Sequence, residues 1–172
     1  MLTRFFRFLD QHGERSLLLI FYSMIVVTIA MEVIRRFVLS YSSIWGEEIA
    51  RYAFIYLAWI GAAAAVKDRA HIRIDVLMHY LSNRSRTVLY LLGDLLTMVL
   101  ALVALYWSMH PIFTSLEFGS VTHGLRISQV WFTLAVPLGF LLVVFRLIQS
   151  IKRDFQDLLL KREVFKGNKL FD

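Results

Sequence analysis

Residues 45–75, WGEEIARYAFIYLAWIGAAAAVKDRAHIRID, decide the fold. An acidic and aromatic entry (Trp45, Glu47, Glu48) leads to one arginine, Arg51, at the mouth of a run that is uncharged from Tyr52 to Val66. Tiny residues fill positions 61–65, and the stretch then breaks into Lys67-Asp68-Arg69-Ala70-His71-Ile72-Arg73-Ile74-Asp75. At a rise of 1.5 Å per residue, a helix over 49–66 reaches about 27 Å, close to the thickness of a bilayer's hydrocarbon core. The pattern predicts a transmembrane helix with both interfaces marked by charge.

The rest of the chain repeats this grammar. Its 172 residues are 58% hydrophobic and 15% aromatic, with only two prolines. A soluble domain carries roughly 45–50% apolar residues, and here the excess sits in blocks. Further spans are predicted over 16–34, 87–110 and 127–145, with Pro111 marking the end of the third. Residues 1–15 and 146–165 mix apolar with basic side chains and read as amphipathic segments lying at the headgroup level. Arg35-Arg36 closes the first apolar block where a cleavage site for a targeting peptide would need small residues, so that block is expected to be a retained helix. The expected architecture is one all-α membrane domain with four spans.

Charge placement orients it. With four spans, the N-terminus, the loop after the second span and the C-terminus share a side that carries fifteen Lys and Arg residues, against four (Arg35, Arg36, Arg51, Arg126) on the other. Positive residues mark the cytoplasm, so both termini are expected inside. Trp45, Trp107 and Trp131 then fall at the outer interface, where an amphipathic indole is favoured. Basic residues that flank apolar blocks, with no basic face, do not form a nucleic-acid footprint. The absence of cysteine excludes disulfides, thiolate metal sites and thiol redox chemistry.

Ionisable residues in or near the spans require a reason, because a charge at mid-bilayer costs about 2.5–3.5 kcal/mol on insertion scales. Glu47 and Glu48 precede Arg51 by four and three residues, the favourable order for a helical ion pair. The triplet reads as an anchor for the outer end of the second helix or as a grip on a partner. Asp94 lies about 10 Å inside the third span by the helical rise. It is expected to pair with Lys67, Arg69 or Arg146, or to satisfy a polar group of another subunit. Glu32 faces Arg35 and Arg36 at helical spacing, which predicts a local interfacial ion pair. His71, Asp75 and His79 recur at i, i+4, i+8, a possible zinc set, but the neighbouring Arg69, Arg73 and Arg84 oppose a cation and favour a solvated interfacial helix. His110 alone approaches a span, which is too little for haem. Small residues step by four in three spans (Ala58 and Ala62, Gly61 and Ala65; Gly93, Thr97 and Ala101; Ala135 and Gly139), stripes that let helix backbones approach closely. No phosphate loop, H-E-x-x-H, G-x-S-x-G or paired inward carboxylates occur, so no enzyme is read and no cofactor is expected on this chain.

Glu47, Glu48, Arg51, Tyr52, Trp59, Gly61, His71, Ile72, Arg73 and Asp75 together resemble the small membrane subunit (DctQ-like) of tripartite ATP-independent periplasmic (TRAP) transporters. The resemblance implies a bacterial inner-membrane uptake system. In it a large membrane subunit holds the substrate and sodium sites, and a periplasmic binding protein delivers an organic acid such as a C4-dicarboxylate or a sialic acid. The small subunit packs against the scaffold of the large one and helps dock the binding protein. On that reading Glu47, Glu48, Arg51, Trp59, Gly61 and Asp94 are interface or structural candidates, and His71, Arg73 and Asp75 form a cytoplasmic motif. The outer residues Glu32, Glu117 and Arg126 join Glu47 and Glu48 as docking candidates. The rivals are a stand-alone four-helix proton-coupled transporter using Glu32 and a membrane assembly factor.

Overall fold

The computed structural model describes residues 2–68 and 83–160. These form α1 (Leu2–Val38), α2 (Ile44–Lys67), α3 (Asn83–Ser108), α4 (His110–Glu117), α5 (Val130–Thr133) and α6 (Ala135–Leu159). Four stretches are long and apolar enough to cross a membrane: Gly13–Val38, Ile44–Lys67, Ser85–Glu117 and Val130–Leu159. The chain is an all-α, multi-pass membrane protein.

The helices run past the limits expected from charge alone. Residues 1–15, expected to be amphipathic, are helical from Leu2 and run without a break into the first span as part of α1. At 1.5 Å per residue, α1 is about 55 Å long, well beyond a bilayer core. α6 likewise continues through Arg146 to Leu159 as one helix. α2 begins at Ile44, so Trp45, Glu47 and Glu48 lie in its first turns. The third apolar run is interrupted two residues before Pro111, at Met109, and resumes as α4 with the proline in its first turn. Proline lacks the N–H that an interior helical position donates, but a first-turn position has no intrahelical partner to lose.

Packing follows the order α1, α2, α6, α3. Extensive seams join α1 to α2, α2 to α6 and α6 to α3, and among the described residues no comparable seam returns from α3 to α1. The four long helices therefore form an open row. Its core lies where α2, α6 and α3 meet, in Ala63, Val66, Ala101, Val143 and Leu147. The most apolar stretch of α1, at one edge of the row, buries no residue. On α2 the buried small residues are Gly46, Ala50, Ala53 and Ala63. Ala58, which the four-residue stripe placed in a seam, is exposed, as are Gly93 and Thr97 on α3. Ala135 and Gly139 do sit in a seam: a methyl group on Gly139 would lie 2.5 Å from Cβ of Trp59 on α2.

Candidate functional site

The two ends of the row are built differently. At the end shared by the start of α1 and the continuation of α6, a buried charge knot ties three helices. The Glu14 carboxylate accepts from Arg146 Nε at 2.6 Å through Oε1 and meets Lys67 Nζ at 3.4 Å through Oε2. Arg146 also donates to Gln149 Oε1 at 2.6 Å. A buried carboxylate between two cations is neutralised and hydrogen-bonded, which permits its burial.

This knot changes the reading of Asp94. Lys67 and Arg146, two of its expected partners, are engaged by Glu14. Asp94 Oδ2 accepts instead from the hydroxyl of Ser150 at 2.6 Å, with both residues buried. Ser150 lies one helical turn beyond Arg146 along α6, so Asp94 sits about 6 Å further toward the end of the row than the knot. Asp94 and Ser150 both lie within stretches long and apolar enough to cross a membrane. Beyond them the α3–α6 seam continues with buried Thr87 and Asp154. His71, Arg73 and Asp75, and the possible zinc set with His79, lie outside the described residues; among the described ones no group of three His, Cys, Asp or Glu is placed to hold a metal ion.

At the opposite end, the link between α1 and α2 is closed by Glu32. Its carboxylate accepts from both the backbone N–H (3.2 Å) and the hydroxyl of Ser43, the residue immediately before α2. Arg35 Nη1 lies 3.6 Å from Glu32 Oε1, donates to Ser43 Oγ at 3.3 Å and places its guanidinium 5.0 Å from the Trp45 ring centroid. The predicted ion pair at Glu32 therefore forms with Arg35, and Arg36 stays exposed outside it. Glu32 is mostly covered by these contacts.

The segment between α4 and α5 folds into a small hairpin, with an antiparallel bridge between Val121 and Ser128 and a Thr122 N–H to Ile127 O bond of 2.9 Å. Residues 127–129, expected to open the fourth transmembrane span, are the second arm of this hairpin. Its turn rests on α2. Oε2 of Glu48 accepts the backbone N–H groups of Gly124 (3.1 Å) and Leu125 (2.6 Å). The approach is close enough that a Cβ at Gly124 would stand 2.9 Å from that oxygen and 3.0 Å from the backbone carbon of Ile44. Below the turn, Tyr52 packs edge-on to Phe132 at 5.1 Å, and the Tyr56 hydroxyl donates to Trp131 O at 2.7 Å. Glu48 is thus a fastener within the chain. Glu47 and Arg51, its expected companions, are exposed and share no ion pair.

Trp59 and Gly61, one turn further down α2, face different neighbours. Trp59 fills the seam with α6, against Gly139 and with its ring 4.5 Å from that of Phe140. Gly61 looks toward α1, where the nearest atom to an added methyl, Leu18 Cδ2, would be 3.7 Å away, an ordinary contact. Glu117 and Arg126 are exposed at the hairpin end, Arg126 with a left-handed φ of 52°. Between α2 and the hairpin is a recess of about 190 Å³ lined by Glu48, Arg51, Tyr52, Thr122, His123 and Gln129, with Val121 and Phe132. Sequence reasoning missed this recess, since nothing local to residues 121–129 announces that they fold back onto α2.

Comparison with known proteins adds the missing context. Residues 25–157 match the family described as the DctQ component of tripartite ATP-independent periplasmic transporters. The chain is 28% identical over 116 residues to the sialic acid TRAP transporter small permease protein SiaQ of Vibrio cholerae, covering 67% of this chain and 66% of that one. It is 30% identical over 110 residues to the C4-dicarboxylate TRAP transporter small permease protein DctQ of Rhodobacter capsulatus, covering 62% and 47%. A third relative is the isethionate TRAP transporter permease protein DctMQ of Oleidesulfovibrio alaskensis, 26% identical over 149 residues, which are 83% of this chain but 24% of that protein. With the four membrane-crossing stretches and the match running from within α1 to near the end of α6, the chain belongs to the DctQ family of TRAP transporter components, which serve transport and are not enzymes.

Proposed function

We propose that the chain is the small permease subunit of a TRAP transporter in a bacterial inner membrane, with the knot end cytoplasmic and the hairpin end periplasmic. It braces the scaffold of a large membrane subunit and helps dock a periplasmic substrate-binding protein during sodium-coupled uptake of an organic acid of the C4-dicarboxylate or sialic acid type. Sodium and solute bind the large subunit, and this chain binds neither. One observation carries the reading: in the isethionate permease, the part like this chain is about a quarter of a longer protein. The open row supports it, because among the described residues α1 and α3 each keep a flank that no other long helix covers. The excess of basic residues at the knot end supports the orientation.

Glu32 speaks against the stand-alone transporter. A carboxylate fastened to Ser43 and Arg35 at a helix link is poorly placed to carry a proton across a span. The test is reconstitution of the large subunit and binding protein with and without this chain. Sodium-driven uptake is expected only with all three, and solute uptake by this chain alone would refute the proposal.

A further inference from the structure

Two of the acidic residues expected to form a docking surface are engaged within the chain: Glu32 by Ser43, and Glu48 by the hairpin turn. What remains exposed and without a side-chain hydrogen bond or ion pair, among the described residues, differs in sign along this end. Arg51, His123 and Arg126 stand around the α2–hairpin junction. Glu117 is at the end of α4, seven residues before the fastened turn residue Gly124, and Glu47 lines a separate cleft between α1 and α2 together with the exposed Arg36.

The junction is a prepared surface. The hairpin cannot swing freely, because two of its amides are held by Glu48, its base is closed by the Gln129 N–H to Ser120 O bond of 2.9 Å, and Phe132 is packed on Tyr52. Arg51 and His123 line the recess from different elements, one on α2 and one on the turn, and Gln129 lines it as well. A guanidinium offers a planar fork of donors suited to a carboxylate, and imidazole and amide add single donors. The Glu48 charge in the same recess is met by two backbone N–H groups on one oxygen, so it opposes an incoming anion less than a bare carboxylate would. A volume of about 190 Å³ holds one side-chain carboxylate and its stem, and is too small for a folded segment.

Resting on the docking reading above, we infer that the hairpin end is a basic socket for an acidic patch of the substrate-binding protein, with one Asp or Glu of that protein seated between Arg51 and His123. A protein partner fits better than a lipid headgroup because the charges extend from the recess onto the turn, where Arg126 stands on the far arm of a fixed platform. Electrostatic contacts at such a rim act mainly on the association rate and weaken with salt.

The experiment measures association of purified binding protein with the complete membrane complex in nanodiscs, at low and high salt. Arg51→Glu and His123→Glu are each expected to slow association roughly tenfold at low salt, with the difference shrinking at high salt and complex yield unchanged. Arg126→Glu, outside the recess, keeps the test valid if Arg51→Glu lowers yield, and is expected to slow association severalfold. Glu117→Lys is expected to leave association unchanged or slightly faster. If Glu47→Lys and Glu117→Lys slow association while the three basic-site variants do not, docking stands and the basic socket is wrong. If no reversal alters it, the docking reading fails as well. Loss of co-purifying phospholipid in Arg51→Glu with unchanged association would assign the recess to a lipid headgroup and overturn the inference.

Discussion

Glu48 and Glu14 show how a charge near a membrane acquires a purpose from what surrounds it. Each carboxylate joins elements far apart in sequence, Glu48 by accepting amides 76 and 77 residues away and Glu14 by meeting Arg146 132 residues away. Hydrogen bonds to a charged group contribute about 1.5–3 kcal/mol each. Glu48→Gln, which keeps the size but not the charge, is expected to speed hydrogen exchange at the Gly124 and Leu125 amides severalfold, with the helices unaffected. Unchanged protection at both amides would show that the turn is held by something else. At the knot, Arg146→Ala leaves Glu14 with Lys67 only. Breaking a buried pair costs about 3–5 kcal/mol, so the melting temperature of the complex should fall clearly more for Arg146→Ala than for Asp94→Asn, which retains an acceptor for Ser150. Equal losses would mean that the knot is no stronger than the neighbouring hydrogen bond.

The helices as elements were legible because apolar blocks and charged borders are local properties. Which face of each helix meets another was not. Ala53 and Ala58 are the same residue five positions apart on one helix, yet one is fully buried and the other exposed. A four-residue step of small side chains marks a face that permits close approach without saying what approaches. The partner of Asp94 was not legible for a related reason: the hydroxyl it accepts from belongs to Ser150, 56 residues away on α6. The hairpin was the least legible part, since its fastener, Glu48, precedes the amides it holds by 76 and 77 residues. The seam between α2 and α6 offers the sharpest check at this scale. Gly139→Ala should cost about 1–3 kcal/mol by crowding Trp59, while Gly61→Ala, with room toward Leu18, should cost little. A tolerated Gly139→Ala with a destabilised Gly61→Ala would reverse the assignment of the tight seam.

For the whole molecule, the arrangement of the two ends is what an orientation experiment can read. The chain has no cysteine, so single cysteines introduced at Arg126 and at Lys152, both exposed, report without background. With the proposed orientation, a membrane-impermeant thiol reagent added to intact spheroplasts labels the Arg126→Cys protein and leaves Lys152→Cys unlabelled until the cells are broken. The opposite pattern would invert the molecule and remove the periplasmic reading of the hairpin.

That no fourth seam joins α3 to α1 among the described residues has a geometric corollary. A line of posts, unlike a ring, encloses no lumen, and it presents two broad sides to its surroundings. If one side is turned toward a companion, the other enlarges the companion's perimeter against the acyl chains. A moving part inside that companion would then push against a wider frame, one less easily tilted by the lipid around it.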